Sequence, residues 1–189
     1  ISQKEFINIF IHKKGLLEKY TDRALLGMAY FEFFYMQQLN DNKRSIETFR
    51  EKYPDINVDF MVADALEVEL EPSDLIVSYY TVQFIHPSVR QKLIDKLYKS
   101  LNWGGALLLF EKVRGPDARF QDLMTSLYTD YKIRVGYTPS DIVAKSRSLK
   151  GILEPFSTQG NIDMLGRAGF VDINTIQKYI CFEGFIAIK

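Results

Sequence analysis

Two short stretches carry side chains that could meet a small molecule. In "VADA", Val62 to Ala65, the acid Asp64 follows an apolar run; in "LIVSYYTVQF", Leu75 to Phe84, the residues Tyr79, Tyr80 and Gln83 stand where a run apolar enough to be a buried strand ends. A carboxylate accepts hydrogen bonds, whereas phenols and an amide both donate and accept. Farther along, Lys145, Arg147 and Lys150 offer cations toward an anionic substrate. His86, followed by Pro87, is a candidate base, although that dipeptide equally suits a surface residue opening a helix. His12 carries no readable role. The single cysteine, Cys181, excludes an intramolecular disulfide and an all-cysteine metal site, and reads as a small core residue. No metal site is expected.

Periodicity predicts the helices and strands that carry these side chains. Met36, Leu39, Ile46, Phe49 and Tyr53 recur at helical spacing with charges between them, and Pro54 stops the helix. "INVDFMVADA" reads as a strand, and "DLIVSYY" as a central strand covered on both faces. Val89, Leu93, Ile94, Leu97 and Leu101 share one face of the next helix, and the turn Asn102-Trp103-Gly104-Gly105 leads into the strand "ALLLFEKV". Strand, helix and strand make one βαβ unit of an open parallel sheet, so the fold class is α/β. Helices are then predicted in "DARFQDLMTSLYTDYKI" and "PSDIVAKSRSLKGIL", broken at Gly136 and Gly151. "NIDMLGRAGF" is a short helix ending at Gly169, and "VDINTIQKYICFEGFIAIK" a terminal antiparallel hairpin turning near Glu183-Gly184.

In open α/β sheets ligands bind outside the carboxyl ends of the strands, which is where Asp64, Tyr79 and Tyr80 fall. The 189 residues, 47% hydrophobic, suffice for one core, and no linker divides them. Lys and Arg number 24, as do Asp and Glu, so no global field draws in nucleic acid or an anionic membrane. "FINIFI" is far too short for a membrane span and lies in no signal-peptide pattern. The expectation is a soluble cytoplasmic protein with a small-molecule substrate and no direct nucleic-acid or membrane partner.

The order of these pieces resembles the class I S-adenosylmethionine-dependent methyltransferases, a Rossmann-like fold with a mostly parallel sheet, helices on both faces and a C-terminal antiparallel hairpin. The features that carry the resemblance are an acidic step after the third strand, a fourth strand ending in polar residues, a Gly-Gly turn before the fifth, and "AGF" before the hairpin. More narrowly, "TVQFIHPSVRQKLIDKLYKSLNWGGALLLFEK" with the later "DARF", "DYK", "GY" and "AGF" is similar to carboxy-S-adenosylmethionine synthases, which use prephenate and serve tRNA wobble-uridine modification. The resemblance covers roughly Asn57 to Lys189. It implies S-adenosylmethionine as cofactor. Asp64 and Ala65 would hold its adenine, Tyr79 and Tyr80 would lie beside its methionine part, and Asp41 would reach the ribose. Catalytic contacts would come from Tyr79, His86 and Arg147.

Departures from that pattern are informative. The synthases have an asparagine where Tyr79 aligns and a carboxylate-binding arginine where Ser146 aligns, with Arg147 one place along. A one-residue shift on a helix turns a side chain by about 100°. The glycine-rich cofactor loop is missing, since no glycine occurs between Gly27 and Gly104. "AYFEFFYMQQ" runs abruptly from aromatic to polar, and a discontinuity in the sequence there would account for the missing loop. The domain reading is one methyltransferase-like unit over 1–189, with a helical cap at 1–34 and inserted helices at 114–155, of which the one from Ser140 to Leu153 covers the pocket or packs on a second copy in a homodimer. The leading functional expectation is methyl transfer to a small molecule. Carboxy-S-adenosylmethionine synthesis and a non-catalytic interaction domain are the alternatives.

Overall fold

The computed structural model describes residues 47–48, 50–54 and 63–189. The 1–34 cap, Asp41 and most of the strand expected at "INVDFMVADA" lie outside the described residues. Residues 47–48 and 50–52 are helical and Pro54 sits in a turn, as the sequence pattern requires. From there the elements run β1 (Ser73–Tyr79), a 3-10 turn (Val82–Phe84), α1 (Pro87–Ser100), β2 (Leu101–Lys112), α2 (Ala118–Arg134), α3 (Pro139–Ser148), α4 (Thr158–Ala168), β3 (Asp172–Tyr179) and β4 (Phe182–Ile188).

The four strands are ordered β1-β2-β4-β3. β1 and β2 pair in parallel across α1, and β4 slots in antiparallel beside both β2 and β3. Alternation in β2 sends Leu107, Leu109 and Glu111 to a buried face. The two leucines join Leu93, Ile94 and Leu97 of α1, Met164 and Leu165 of α4, and Phe185 and Ala187 of β4 in one core. Each such aliphatic side chain contributes about 1.5–3 kcal/mol on burial. α4 opens where the Ser157 hydroxyl accepts from Gly160 N at 3.1 Å, and closes at Gly169 with φ 115. A Cβ there would stand 2.8 Å from Tyr98 Cζ, so both conformation and space demand glycine.

Two boundaries differ from expectation. The Gly-Gly turn is a bulge inside β2: Ser73 pairs with Leu101 but Leu75 pairs with Ala106, so residues 102–105 stand against Asp74 alone, and Gly104 N donates to Lys189 O at 2.9 Å. The terminal hairpin turns at Ile180-Cys181, where Ile180 has φ 52, and not at Glu183-Gly184, which lie in β4 opposite Glu111 and Phe110. Gly184 is a glycine because a Cβ there would meet the Phe110 ring at 2.6 Å.

Candidate active site

The loop leaving β1 is fixed from below by charged side chains that the sequence pattern gave little reason to notice. Glu111 Oε1 accepts from Val82 N at 2.9 Å and its Oε2 from Gln83 N at 2.8 Å. Gln83 answers from the other side: its Oε1 accepts from Lys112 N at 2.8 Å. Arg90, 2% exposed, donates through Nε to Ile85 O at 2.7 Å and through Nη2 to Gln83 O at 3.0 Å, with its guanidinium 4.5 Å from the Phe156 ring centre. Burial pushes the Glu111 carboxyl up to about 8, against the opposing pull of the Val82 and Gln83 N–H groups and of Arg90. Burial also lowers Arg90, and Glu111 counteracts it. The available signal for Glu111 was its inward place in the alternation Leu107, Leu109, Glu111.

Held this way, the loop presents aromatic rings at the carboxyl ends of β1 and β2. Tyr80 takes φ 53 and donates its N–H to Phe110 O at 2.7 Å, which bends the chain out of the strand. Its ring meets Tyr79 edge-on at 4.5 Å and Phe182 at 5.5 Å. Phe182 contacts Tyr128 of α2 at 5.2 Å, Tyr128 stacks on Tyr131 at 6.4 Å, and Tyr131 meets Tyr179 at 5.7 Å. Burial raises both Tyr79 and Tyr80, and for Tyr80 the neighbouring Tyr79 and Glu111 add to it, so both phenols stay protonated near neutral pH. Lys112 and Lys132 flank the same wall, their Nζ atoms 5.2 Å and 4.1 Å from the Tyr128 ring centre.

The remaining expected site residues fall as follows. Asp64 is exposed and closes a turn: its Oδ1 accepts from Leu66 N at 2.8 Å, and its carbonyl accepts from Glu67 N and Val68 N. Ala65 is fully buried, with its carbonyl taking Lys96 Nζ at 3.0 Å. His86 caps α1, where its Nδ1 accepts from Ser88 N at 3.3 Å, so one ring nitrogen is engaged in helix capping. Arg147 is exposed in the last turn of α3, and no described contact joins it to Tyr79 or Tyr80. Gln83 bonds the loop it sits in. Cys181 is buried, and burial raises its thiol. Among the described residues no group of three or more His, Cys, Asp or Glu side chains could hold a metal ion, and no helix is long and apolar enough to cross a membrane.

A parallel βαβ step, an antiparallel hairpin inserted beside it and polar residues gathered at the strand ends define the class I S-adenosylmethionine-dependent methyltransferase fold. Solved structures agree. The methyltransferase SibL in its apo form superposes with a TM-score of 0.58 at 16% identity, over 80% of this chain and 41% of that one. An O-methyltransferase family protein from Burkholderia thailandensis gives 0.56 at 13% identity, over 78% and 41%.

The chain has this fold, and in sequence it is similar to carboxy-S-adenosyl-L-methionine synthases. It is 41% identical to the synthase of Campylobacter jejuni over 134 residues, which is 71% of this chain and 57% of that protein. Identity is 40% with the Nautilia profundicola synthase over 134 residues, again 71% and 57%, and 37% with that of Staphylococcus epidermidis over 133 residues, 70% and 58%. The chain thus spans somewhat over half the length of the curated relatives it matches. No protein-family model matches it.

Proposed function

We propose that the protein binds S-adenosylmethionine at the carboxyl ends of β1 and β2 and acts as a carboxy-S-adenosylmethionine synthase with prephenate as the second substrate. The observation that carries this reading is about 40% identity with proteins of that name across 134 residues. The described residues suit a cofactor with flat and polar parts: neutral phenols at Tyr79 and Tyr80, and a loop whose backbone Glu111 and Arg90 lock in place. Asp64 would accept from the adenine amine through Oδ2, since Oδ1 already serves Leu66 N, and the Ala65 N–H would meet a ring nitrogen. Asp41 would take the ribose hydroxyls. The cofactor's sulfonium supplies the activated carbon, and the chain's contribution is orientation, which needs no catalytic triad. The carboxylated product would feed tRNA wobble-uridine modification in the cytoplasm.

Methyl transfer to a small-molecule acceptor is the second reading, favoured by Tyr79 standing where the synthases carry asparagine. Incubation with S-adenosylmethionine and prephenate, followed by the mass of the recovered cofactor, separates the two: unchanged mass removes the synthase. Calorimetry with S-adenosylhomocysteine separates both from a non-catalytic interaction domain, which would give no binding. A homodimer is also proposed. Its support is an apolar stripe on α2, where Phe120, Leu123 and Leu127 are 52%, 52% and 55% exposed at helical spacing.

A further inference from the structure

We propose that Lys112 and Lys132, set against the ring of Tyr128, bind the carboxylate of a ring-bearing organic acid that serves as the reaction's second substrate. This rests on the synthase reading above and adds to it a substrate-binding pair that neither the family pattern nor the sequence singled out.

The pair is an electrostatic misfit by itself. Both ammonium groups lie within cation–π range of one ring, at 5.2 Å and 4.1 Å, so the chain gathers two like charges around a single aromatic side chain. Both lysines are half-buried. Among the described residues no carboxylate pairs with either; the described ion pair is Lys178 with Glu183. Lys132 loses proton affinity through burial and through the nearness of Lys112, and Lys145 pushes the same way. Concentrated positive charge that is partly desolvated and matched by no acid among the described residues is costly, and an incoming anion relieves that cost.

Topology puts the pair where a substrate belongs. Lys112 is the last residue of β2, at the carboxyl end of the sheet, and Lys132 stands one helical turn beyond Tyr128 on α2. An unbroken run of ring contacts leads from Tyr79 at the end of β1 through Tyr80 and Phe182 to Tyr128. A ligand lying along this wall would set an apolar ring against the tyrosines and its carboxylate between the ammonium groups. Arg147, the cation expected from the sequence to do this, is exposed on α3 without a described contact to the wall.

The test is calorimetric titration of phenylpyruvate, a ring-bearing 2-oxo acid, into the wild-type protein and into Lys112→Met, Lys132→Met and the two Lys→Arg variants. Inorganic phosphate is the control ligand, and S-adenosylhomocysteine affinity and melting temperature report the fold. Each Met variant should weaken phenylpyruvate by about tenfold or more, with the Arg variants recovering most of it and S-adenosylhomocysteine affinity unchanged. Unaltered phenylpyruvate affinity in both Met variants would overturn the assignment, as would phosphate binding as tightly, or no phenylpyruvate binding by a wild-type protein that binds S-adenosylhomocysteine. Lysine-dependent phenylpyruvate binding in a protein that ignores S-adenosylhomocysteine would sustain the lysine pair and sink the cofactor reading, so the two fail separately.

Discussion

Gln83 and Glu111 hold one another from opposite directions. The Glu111 carboxylate accepts the Gln83 backbone N–H at 2.8 Å, and the backbone N–H beside Glu111, that of Lys112, donates to the Gln83 side chain at 2.8 Å. A loop that emerges from β1 is thereby tied to the end of β2, and the rings of Tyr79 and Tyr80 ride on it. Glu111→Gln places an amide against the N–H donors and should cost about 1–3 kcal/mol of stability at pH 5. The Glu111 carboxyl is raised in the fold from the usual 4.5 to about 8, so its contribution is whole below about 4.5 and is lost as pH climbs toward 8. Denaturant titrations between pH 5 and 8.5 should show wild-type stability falling and the deficit of Glu111→Gln narrowing. A deficit that widens with pH would contradict the burial argument.

Asp64→Ala should weaken S-adenosylhomocysteine by about 1–3 kcal/mol, the cost of leaving a polar contact unpaired, while the fold survives. Calorimetry measures the first and thermal melting the second. Unchanged affinity would leave Asp64 as the turn residue its bond to Leu66 N already makes it.

Gly184→Ala brings a methyl into the Phe110 ring, which the structure sets 2.6 Å from that Cβ position. Phe110 lies 5.3 Å from Tyr79, so relief of the clash displaces the tyrosine. A loss of about 1–3 kcal/mol in stability is expected, together with weaker S-adenosylhomocysteine binding. Stability and binding both at wild-type level would show that the ring yields without disturbing the site.

Leu123→Glu combined with Leu127→Glu charges the exposed stripe of α2. Light scattering behind size exclusion should report a dimer for the wild-type protein and a monomer for the variant. A wild-type monomer, or a variant that stays dimeric, would remove α2 from the interface.

The sequence made the scaffold readable where side-chain pattern and backbone geometry agree. "DLIVSYY", the α1 stripe and the Gly169 stop all became elements at nearly the expected bounds, because burial period and glycine conformation are local properties. Local reading failed where a distant partner decides. Gly184 resembles a turn glycine, yet it accommodates Phe110, a neighbour 74 positions away in the chain that only the β2–β4 register brings close. Arg90 and Glu111 look like surface charges in "VRQK" and "FEKV" and are buried under the β1 loop. Tyr79 and Tyr80 were found from the end of an apolar run, whereas the lysines beside Tyr128 emerge only when α2 folds back over the hairpin.

The proposed carboxylation of the cofactor is read from the mass of the cofactor recovered after the protein is incubated with S-adenosylmethionine and prephenate. The expected result is S-adenosylmethionine heavier by the mass of carbon dioxide, a carboxyl group having replaced one methyl hydrogen, and formed only when prephenate is supplied. Recovery of unmodified S-adenosylmethionine, from protein that binds S-adenosylhomocysteine, would contradict it.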